Sequence, residues 1–177
     1  MGHAYNLRVE VKRLDLGVVP SVHAESFGEP GQRTFRVLAD SGQGTVSLWL
    51  EKQQIVALLA ACNELLERVA EHDGHEPVDA QPQMLMGDLE VRVGSLSVGY
   101  DAGKGGFALE ASDFESNVDL THIAFMVDRA HFITMRDELE DIVGRSRPRC
   151  PLCGTPLSGA PHFCPPSNGH AHLTVES

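Results

Sequence analysis

Short alternating strands lead directly into an amphipathic helix at two places in this chain, and this order most limits the folds that it can adopt. Apolar and polar side chains alternate in each strand, as they do in strands that bury one face. A stripe of apolar residues at helical spacing follows, beginning at Ile55 in the first place and at Phe132 in the second. Half-buried strands covered by helices predict an α+β fold. The predicted strands are 7–11, 33–39 and 45–50 before the first helix, and 89–93, 106–111 and 122–127 before the second.

The two places align with one another at the junction between strand and helix. Glu51 falls opposite Asp128 at an offset of 77 residues (128 − 51), and Phe35 falls opposite Phe107 at an offset of 72 (107 − 35). We interpret this as a duplicated unit of antiparallel strands followed by a helix. Similar patterning that arose independently is the alternative. The predicted domains are a body at 1–146, with units of about 1–72 and 82–146, and a separate tail at 147–177.

The tail contains three of the four cysteines of the chain, in a segment rich in proline and glycine. Cys150 and Cys153 form a C-x₂-C pair with a glycine directly behind it, which is typical of the turn that holds two thiolates on one metal ion. Cys164 follows and supplies a third thiolate. Mixed thiolate and imidazole ligands in a closed site are typical of structural zinc. We therefore predict a small zinc-ribbon-like appendage.

The fourth ligand of this predicted site has to come from elsewhere in the sequence. Cys62 lies in the middle of the first helical stripe and is predicted to be a buried thiol with no role at the metal. A histidine is therefore the expected ligand. We favour His170, which follows a turn long enough to return its ring to the site; His162 is the alternative, and His172 is a third candidate. A disulfide is disfavoured, because thiols stay reduced in the expected cytoplasmic compartment and because the three cysteines of the tail would leave one unpaired.

The formal net charge of −11 bears on the partners that the chain can bind. Nucleic-acid binding depends on cations that neutralise phosphates, so an acidic protein is a poor general nucleic-acid binder. One basic cluster follows the second helix and leaves nucleic-acid contact there as an alternative: Arg145, Arg147 and Arg149. No apolar run reaches about 18 residues, and the start lacks a signal peptide, so we expect a cytoplasmic protein without a membrane span.

A turn at 28–33 places an amide and a guanidinium side by side at the entry to a strand. Pro30 and Gly31 mark the turn, and Gln32 and Arg33 follow it. Arg33 can bind a carboxylate or a phosphate with two parallel hydrogen bonds. Contact with an anion or a partner is one interpretation of Gln32 and Arg33. The other is an exposed arginine that merely follows a turn.

Several of these segments also resemble a known family. The resemblance rests on "GEPGQRTF" (28–35), "EKQQ" (51–54), and the tail segments "CPLCGTPL", "HFCP" and "NGH". These segments resemble a bacterial family known as domain of unknown function 3090, over about residues 20–172. The resemblance implies a cluster of cysteines and histidines near the carboxyl terminus. It implies no particular activity.

These observations favour a non-catalytic binding or adaptor protein that carries a structural zinc and docks on a protein partner. The sequence contains no recognisable set of acid, base and nucleophile. The alternative is an enzyme that acts on a small anionic substrate, a phosphate or a carboxylate, in a cleft between the two units. Arg33 and a histidine, His122 or His131, would line that cleft. A second alternative is nucleic-acid binding through the basic segment before the ribbon.

Overall fold

In the part of the chain that the structure describes, four strands are followed by a helix, and three further strands are followed by a second helix. The computed structural model describes residues 12–29, 31–69, 85–113, 121–145, 150–153 and 164. The elements are β1 (Lys12–Val18), β2 (Ser21–Phe27), β3 (Thr34–Asp40), β4 (Thr45–Leu50), α1 (Lys52–Arg68), β5 (Leu89–Asp101), β6 (Gly106–Asp113), β7 (Thr121–Val127) and α2 (Arg129–Gly144). Neither of these helices is both long and apolar enough to cross a membrane.

The strands form one mixed sheet in the order β1-β7-β6-β5-β4-β3-β2. The α+β class is therefore confirmed. The pairs β2–β3, β3–β4, β5–β6 and β6–β7 are antiparallel, as predicted within each unit, but the sheet as a whole is mixed. Two neighbouring pairs, β4–β5 and β1–β7, are parallel. The chain reaches β5 only after α1, and a helix between two strands allows the second strand to run in the same direction as the first.

β5 changes its partner halfway along its length. Its first residues pair in parallel with β4, the last such pair being Trp49 with Arg92. From Val93 onward it pairs antiparallel with β6, and the register shifts between Val93 and Ser95. One continuous strand therefore belongs to two hairpin systems, β3–β4 on one side and β6–β7 on the other.

β1 and β2 lie at opposite edges of the sheet although only residues 19 and 20 separate them in the chain. Two linking residues let the strand ends lie at most about 10 Å apart. The sheet must therefore curl so that its two edges approach each other. Neither strand is among those predicted from the sequence, although Leu14 and Leu16 in β1 and Val22 and Ala24 in β2 alternate with polar residues. The predicted strand 7–11 lies outside the described residues.

Both helices lie where the sequence predicts them and pack their apolar stripes into one core. The buried residues of α1 include Ile55, Leu58 and Cys62. Phe132 of α2 stacks on Phe107 of β6 with ring centroids 4.2 Å apart and an interplanar angle of 12°. The same core receives the inward faces of β1 to β7, as the α+β class requires.

An acidic residue begins each helix. Glu51 precedes α1, where its backbone oxygen accepts a hydrogen bond from the Gln54 N–H at 3.0 Å, and the Gln54 side chain accepts one from the Glu51 backbone N–H at 2.7 Å. Asp128 accepts a hydrogen bond from the backbone N–H of His131 at 2.8 Å. These contacts satisfy N–H groups that have no partner within the helix. They explain why the two helices begin at equivalent places after β4 and β7.

Replacing Asp128 with alanine should lower the free energy of unfolding by about 1 kcal/mol, because the first turn of α2 loses its acceptor. Asp128→Asn retains an oxygen there and should cost less. Urea unfolding followed by circular dichroism measures both. Glu67→Ala, at an exposed position of α1, is the matched control. A loss in Asp128→Ala no larger than in this control would contradict the capping role.

Candidate metal centre

Three cysteines meet beyond the end of α2. Cys150 directly precedes a turn at residues 151–153, and Cys153 is the last residue of that turn. Cys150 and Cys164 are 7% and 6% exposed, and Cys153 is half-buried. The sulfur atoms of all three lie within 4.8 Å of one another. The structure therefore brings together the three cysteines that the spacing of the tail singled out.

The separation of the sulfurs shows that the clustered cysteines Cys150 and Cys164 are not joined by a disulfide. The Sγ atoms of Cys150 and Cys164 are 3.7 Å apart. A disulfide has an S–S bond of about 2.05 Å, so no bond joins them. The described residues include all four cysteines, and none of the four forms a disulfide. Three converging thiols, two of them buried, can bind one metal ion through their thiolate forms.

The donor set and its dimensions fit a tetrahedral metal ion. A metal held at about 2.3 Å from each of two thiolates in tetrahedral geometry places the sulfurs about 3.8 Å apart. The measured 3.7 Å matches this distance. A tetrahedral site needs a fourth ligand. Both predicted histidines, His170 and His162, lie outside the described residues.

Cys62 takes no part in this cluster. Its side chain is fully buried in the apolar stripe of α1, as predicted. Burial raises the pKa of the Cys62 thiol to about 12, although the positive charge of Arg136 acts in the opposite direction. A thiol with so high a pKa is neutral at physiological pH, and a neutral thiol is neither a nucleophile nor a good metal ligand.

The predicted anion-contact residues Gln32 and Arg33 lie in the turn between β2 and β3. The Gln32 backbone N–H closes this turn by donating to Glu29 O at 2.9 Å. The Arg33 guanidinium donates to the backbone oxygen of Arg145 at 3.3 Å. Arg33 therefore covers the carboxyl end of α2, where a cation complements the helix dipole. Arg147 and Arg149 lie outside the described residues.

An arginine side chain donates a hydrogen bond to a backbone oxygen at the carboxyl end of each of the two helices. Arg129, the first residue of α2, donates to the backbone oxygen of Val69 just after α1, at 3.2 Å. The side chain of Arg145 itself contacts Asp141 on α2 at 3.2 Å. These contacts give Arg33, Arg129 and Arg145 structural partners.

The two histidines of the enzyme hypothesis lie in different places. His122 is near the start of β7, where its Nδ1 is 3.0 Å from Ser112 Oγ and its Nε2 is 3.6 Å from a Glu110 oxygen. His131 lies beyond the other end of β7, with its Nδ1 2.8 Å from Asp128. The strand between them spans about 16 Å. The structure does not bring these histidines together, and Arg33 makes its hydrogen bond to Arg145 rather than to either of them.

A cleft of about 740 Å³ opens where β4 and β5 separate. The sequence suggested a cleft between the two units but predicted none of the residues that line this one, because the parallel pairing of β4 with β5 joins residues that are far apart in the chain. The sequence feature that could have indicated this cleft is the single tryptophan, Trp49, near the end of a predicted strand. Gln32, Arg33, His122 and His131 do not line it. Its lining residues are Thr34, Phe35, Trp49, Leu50, Glu51, Gln54, Glu90, Arg92, Val93, Gly94 and Asp113.

These features define a class of protein: an α+β body with a mixed sheet and a cluster of three cysteines after its last described helix. The chain belongs to the family described as Protein of unknown function (DUF3090), whose model matches residues 15–164. The match confirms the resemblance noted in the sequence. It begins in β1 and includes all three clustered cysteines. No curated protein and no solved structure matches the chain.

The Cys62 thiol should be unreactive in the folded protein. A variant with Cys150, Cys153 and Cys164 all replaced by serine retains this one thiol, so a thiol-disulfide reagent measures it alone. Because its raised pKa leaves almost no thiolate near neutral pH, we expect very slow reaction in buffer and complete reaction in denaturant. Rapid reaction in buffer would contradict the buried, neutral state.

Proposed function

We propose that this chain is a zinc-binding, non-catalytic adaptor, with Cys150, Cys153 and Cys164 as three ligands of one structural zinc ion. The observation that carries the proposal is the 3.7 Å separation of the Cys150 and Cys164 sulfurs, which suits two thiolates on a tetrahedral zinc. Soft thiolates in tetrahedral geometry favour zinc over magnesium or calcium, which prefer oxygen ligands.

A structural role fits the surroundings of the cluster better than a catalytic one. A catalytic zinc keeps an open position for water and needs an acid or a base nearby. Within the described part of the chain, the clustered ligand atoms are the three thiols, with no carboxylate or imidazole among them. Reduced thiols also suit the cytoplasm, which we propose as the compartment.

His170 is the proposed fourth ligand, with His162 as the alternative. An imidazole nitrogen completes a Cys₃His site, a common structural zinc environment. The residues matched by the family model include His162 and end before His170. The two histidines therefore need a direct comparison.

We also infer that the body consists of two equivalent halves. Phe35 pairs with Leu50, directly before the cap Glu51, and Phe107 pairs with Val127, directly before the cap Asp128. These pairs preserve the correspondence seen in the sequence. β1 and β2 together also resemble the single strand β5. β1 and the first part of β5 each pair in parallel with the strand that precedes a helix, β7 and β4 respectively. β2 and the second part of β5 each pair antiparallel with the next strand of the chain, β3 and β6 respectively.

The metal turn offers a contact point for a protein partner. Leu152 lies between two proposed ligands and is 62% exposed. Zinc would hold this turn in one conformation, which lowers the entropy lost when an apolar side chain docks into a partner's pocket. The partner we propose is therefore a protein with an apolar pocket on its surface.

Zinc should hold the tail in place while the body is stable without it. Removing zinc with a strong chelator, or replacing Cys150 and Cys153 with serine, should make residues 147–177 sensitive to protease. The body should retain a cooperative thermal transition, because its core is independent of the cluster. Zinc binding in small sites contributes on the order of 10–16 kcal/mol, enough to order a short segment with little apolar surface.

The same measurement distinguishes the two histidines. His170→Ala should lower zinc content and expose the tail to protease, and His162→Ala should do so less. Cys62→Ala is the matched control and should retain its zinc. A tail that stays protected after complete zinc removal would show that packing holds it, and the proposal would fail.

Affinity capture from native lysate tests the adaptor role. A specific partner should bind the full chain and be lost with Leu152→Ser and with the Cys150→Ser, Cys153→Ser pair. Val56→Ser changes another exposed apolar side chain, on α1, and should retain the partner. Binding that is indifferent to Leu152 and to the metal would remove the proposed docking point.

A further inference from the structure

The cleft between β4 and β5 lies at a point where parallel strands separate. After the pair Trp49–Arg92, β4 ends and the chain enters α1, whereas β5 turns to pair with β6 at Val93–Asp113. Crevices at the carboxyl ends of parallel strands, where the following chains leave in different directions, are recurrent ligand sites. The volume of about 740 Å³ lies within the usual range of small-molecule sites.

The base of the cleft is fixed by Gln54. Its side-chain oxygen accepts a hydrogen bond from the Glu51 backbone N–H at 2.7 Å, and its side-chain nitrogen donates to the backbone oxygen of Val93 at 2.9 Å. One amide thus links α1 to β5 across the separation of the strands. Trp49 forms part of the wall above it. The cleft is therefore formed before any ligand arrives.

The charges around the cleft favour a ligand that carries a positive charge. Three carboxylates, from Glu51, Glu90 and Asp113, and one guanidinium, from Arg92, line it. Their formal charges sum to −2 (one positive, three negative). The amino end of α1 does not offset this charge, because the Glu51 carboxylate already occupies it. The chain as a whole carries −11. An anionic ligand is disfavoured here, and a cation is attracted.

Aromatic rings on this face of the sheet already bind a cation within the protein. The Arg36 guanidinium lies 5.5 Å from the Trp49 ring centroid and 5.0 Å from that of Phe27. A planar cation beside an indole is a favourable contact. Glu90 is exposed, and among the described residues no side chain pairs with it. The cleft thus combines an aromatic wall with a carboxylate that can accept a ligand's charge.

We propose that this cleft binds a protonated amine or a guanidinium group, with Trp49 contacting its planar or methylene part and Glu90 pairing with its charge. A free amine or guanidine and the basic side chain of a protein partner share this chemistry. The site is separate from the three cysteines and does not depend on the proposed zinc. An experiment that contradicts the zinc proposal therefore does not contradict the cation-binding proposal, and the reverse also holds.

Trp49 is the single tryptophan of the chain, so its fluorescence reports on this cleft directly. The full chain is titrated at constant ionic strength with n-propylguanidinium and with n-propylurea, a neutral molecule of similar shape. Parallel titrations use a blocked Gly-Arg-Arg-Gly peptide and its Gly-Gln-Gln-Gly counterpart. We expect a saturable change with the two cationic probes and none with the two neutral ones.

Two substitutions link binding to the proposed contacts. Glu90→Gln should weaken the affinity for the cation about two- to fivefold, the effect of one partly exposed ion pair. Glu67→Gln makes the same charge change on an exposed part of α1 and should leave the affinity unchanged. Trp49→Leu should weaken it roughly tenfold by calorimetry, if circular dichroism shows a native fold. Glu90→Gln tests the site even if the Trp49 variant does not fold.

Each outcome decides the proposal. Much tighter binding of the arginine peptide than of n-propylguanidinium would identify the ligand as a basic segment of a partner. Similar affinities would identify a small organic cation. Absence of saturation with both, equal binding of the neutral probes, or equal loss in Glu90→Gln and Glu67→Gln would overturn the proposal.

Discussion

The change of partner within β5 holds this protein together. The first part of β5 pairs in parallel with β4, and its second part pairs antiparallel with β6, so one strand joins both hairpin systems into a single sheet. The parallel pair β1–β7 and the short link from β1 to β2 connect the far edges through the chain itself. Without the switch near Val93, the sheet would end at β5 and the core shared by α1 and α2 would be open on one side. The cleft follows from the same switch, because separating strands leave space between them.

Side chains repeatedly satisfy backbone groups that lie far away in the chain, at helix ends and at a sheet edge. Arg129 donates to the end of α1, and Arg33 donates to the end of α2. A Glu138 oxygen on α2 accepts the Ala24 backbone N–H of β2 at 2.7 Å, at the edge of the sheet. Polar backbone groups left unpaired at helix ends and sheet edges are costly or prone to aggregation, so these contacts stabilise the whole body. They also account for several charged residues that, in the sequence alone, resemble a binding site.

Features that depend on neighbouring residues could be predicted, and features that depend on distant pairing could not. Helical spacing predicted both helices, and the Cys150–Cys153 spacing predicted the cysteine cluster, because each rests on a few consecutive residues. The parallel register of β4 with β5 joins residues more than forty positions apart (89 − 46 = 43), and nothing local indicates it. The residues that line the cleft are brought together by that register and were missed for the same reason. The sequence indicated Arg33 as a candidate contact residue, but it could not predict that its partner is the backbone oxygen of Arg145 at the end of α2.

X-ray absorption at the zinc edge of the purified full chain tests the central claim most directly, namely that the clustered cysteines hold one zinc ion. The account predicts stoichiometric zinc with three sulfur neighbours at about 2.3 Å and one nitrogen at about 2.0–2.1 Å. Cys164→Ser should remove one sulfur from that shell or abolish binding. A first shell dominated by oxygen or nitrogen, or a chain that binds no zinc while its thiols are reduced, would contradict it.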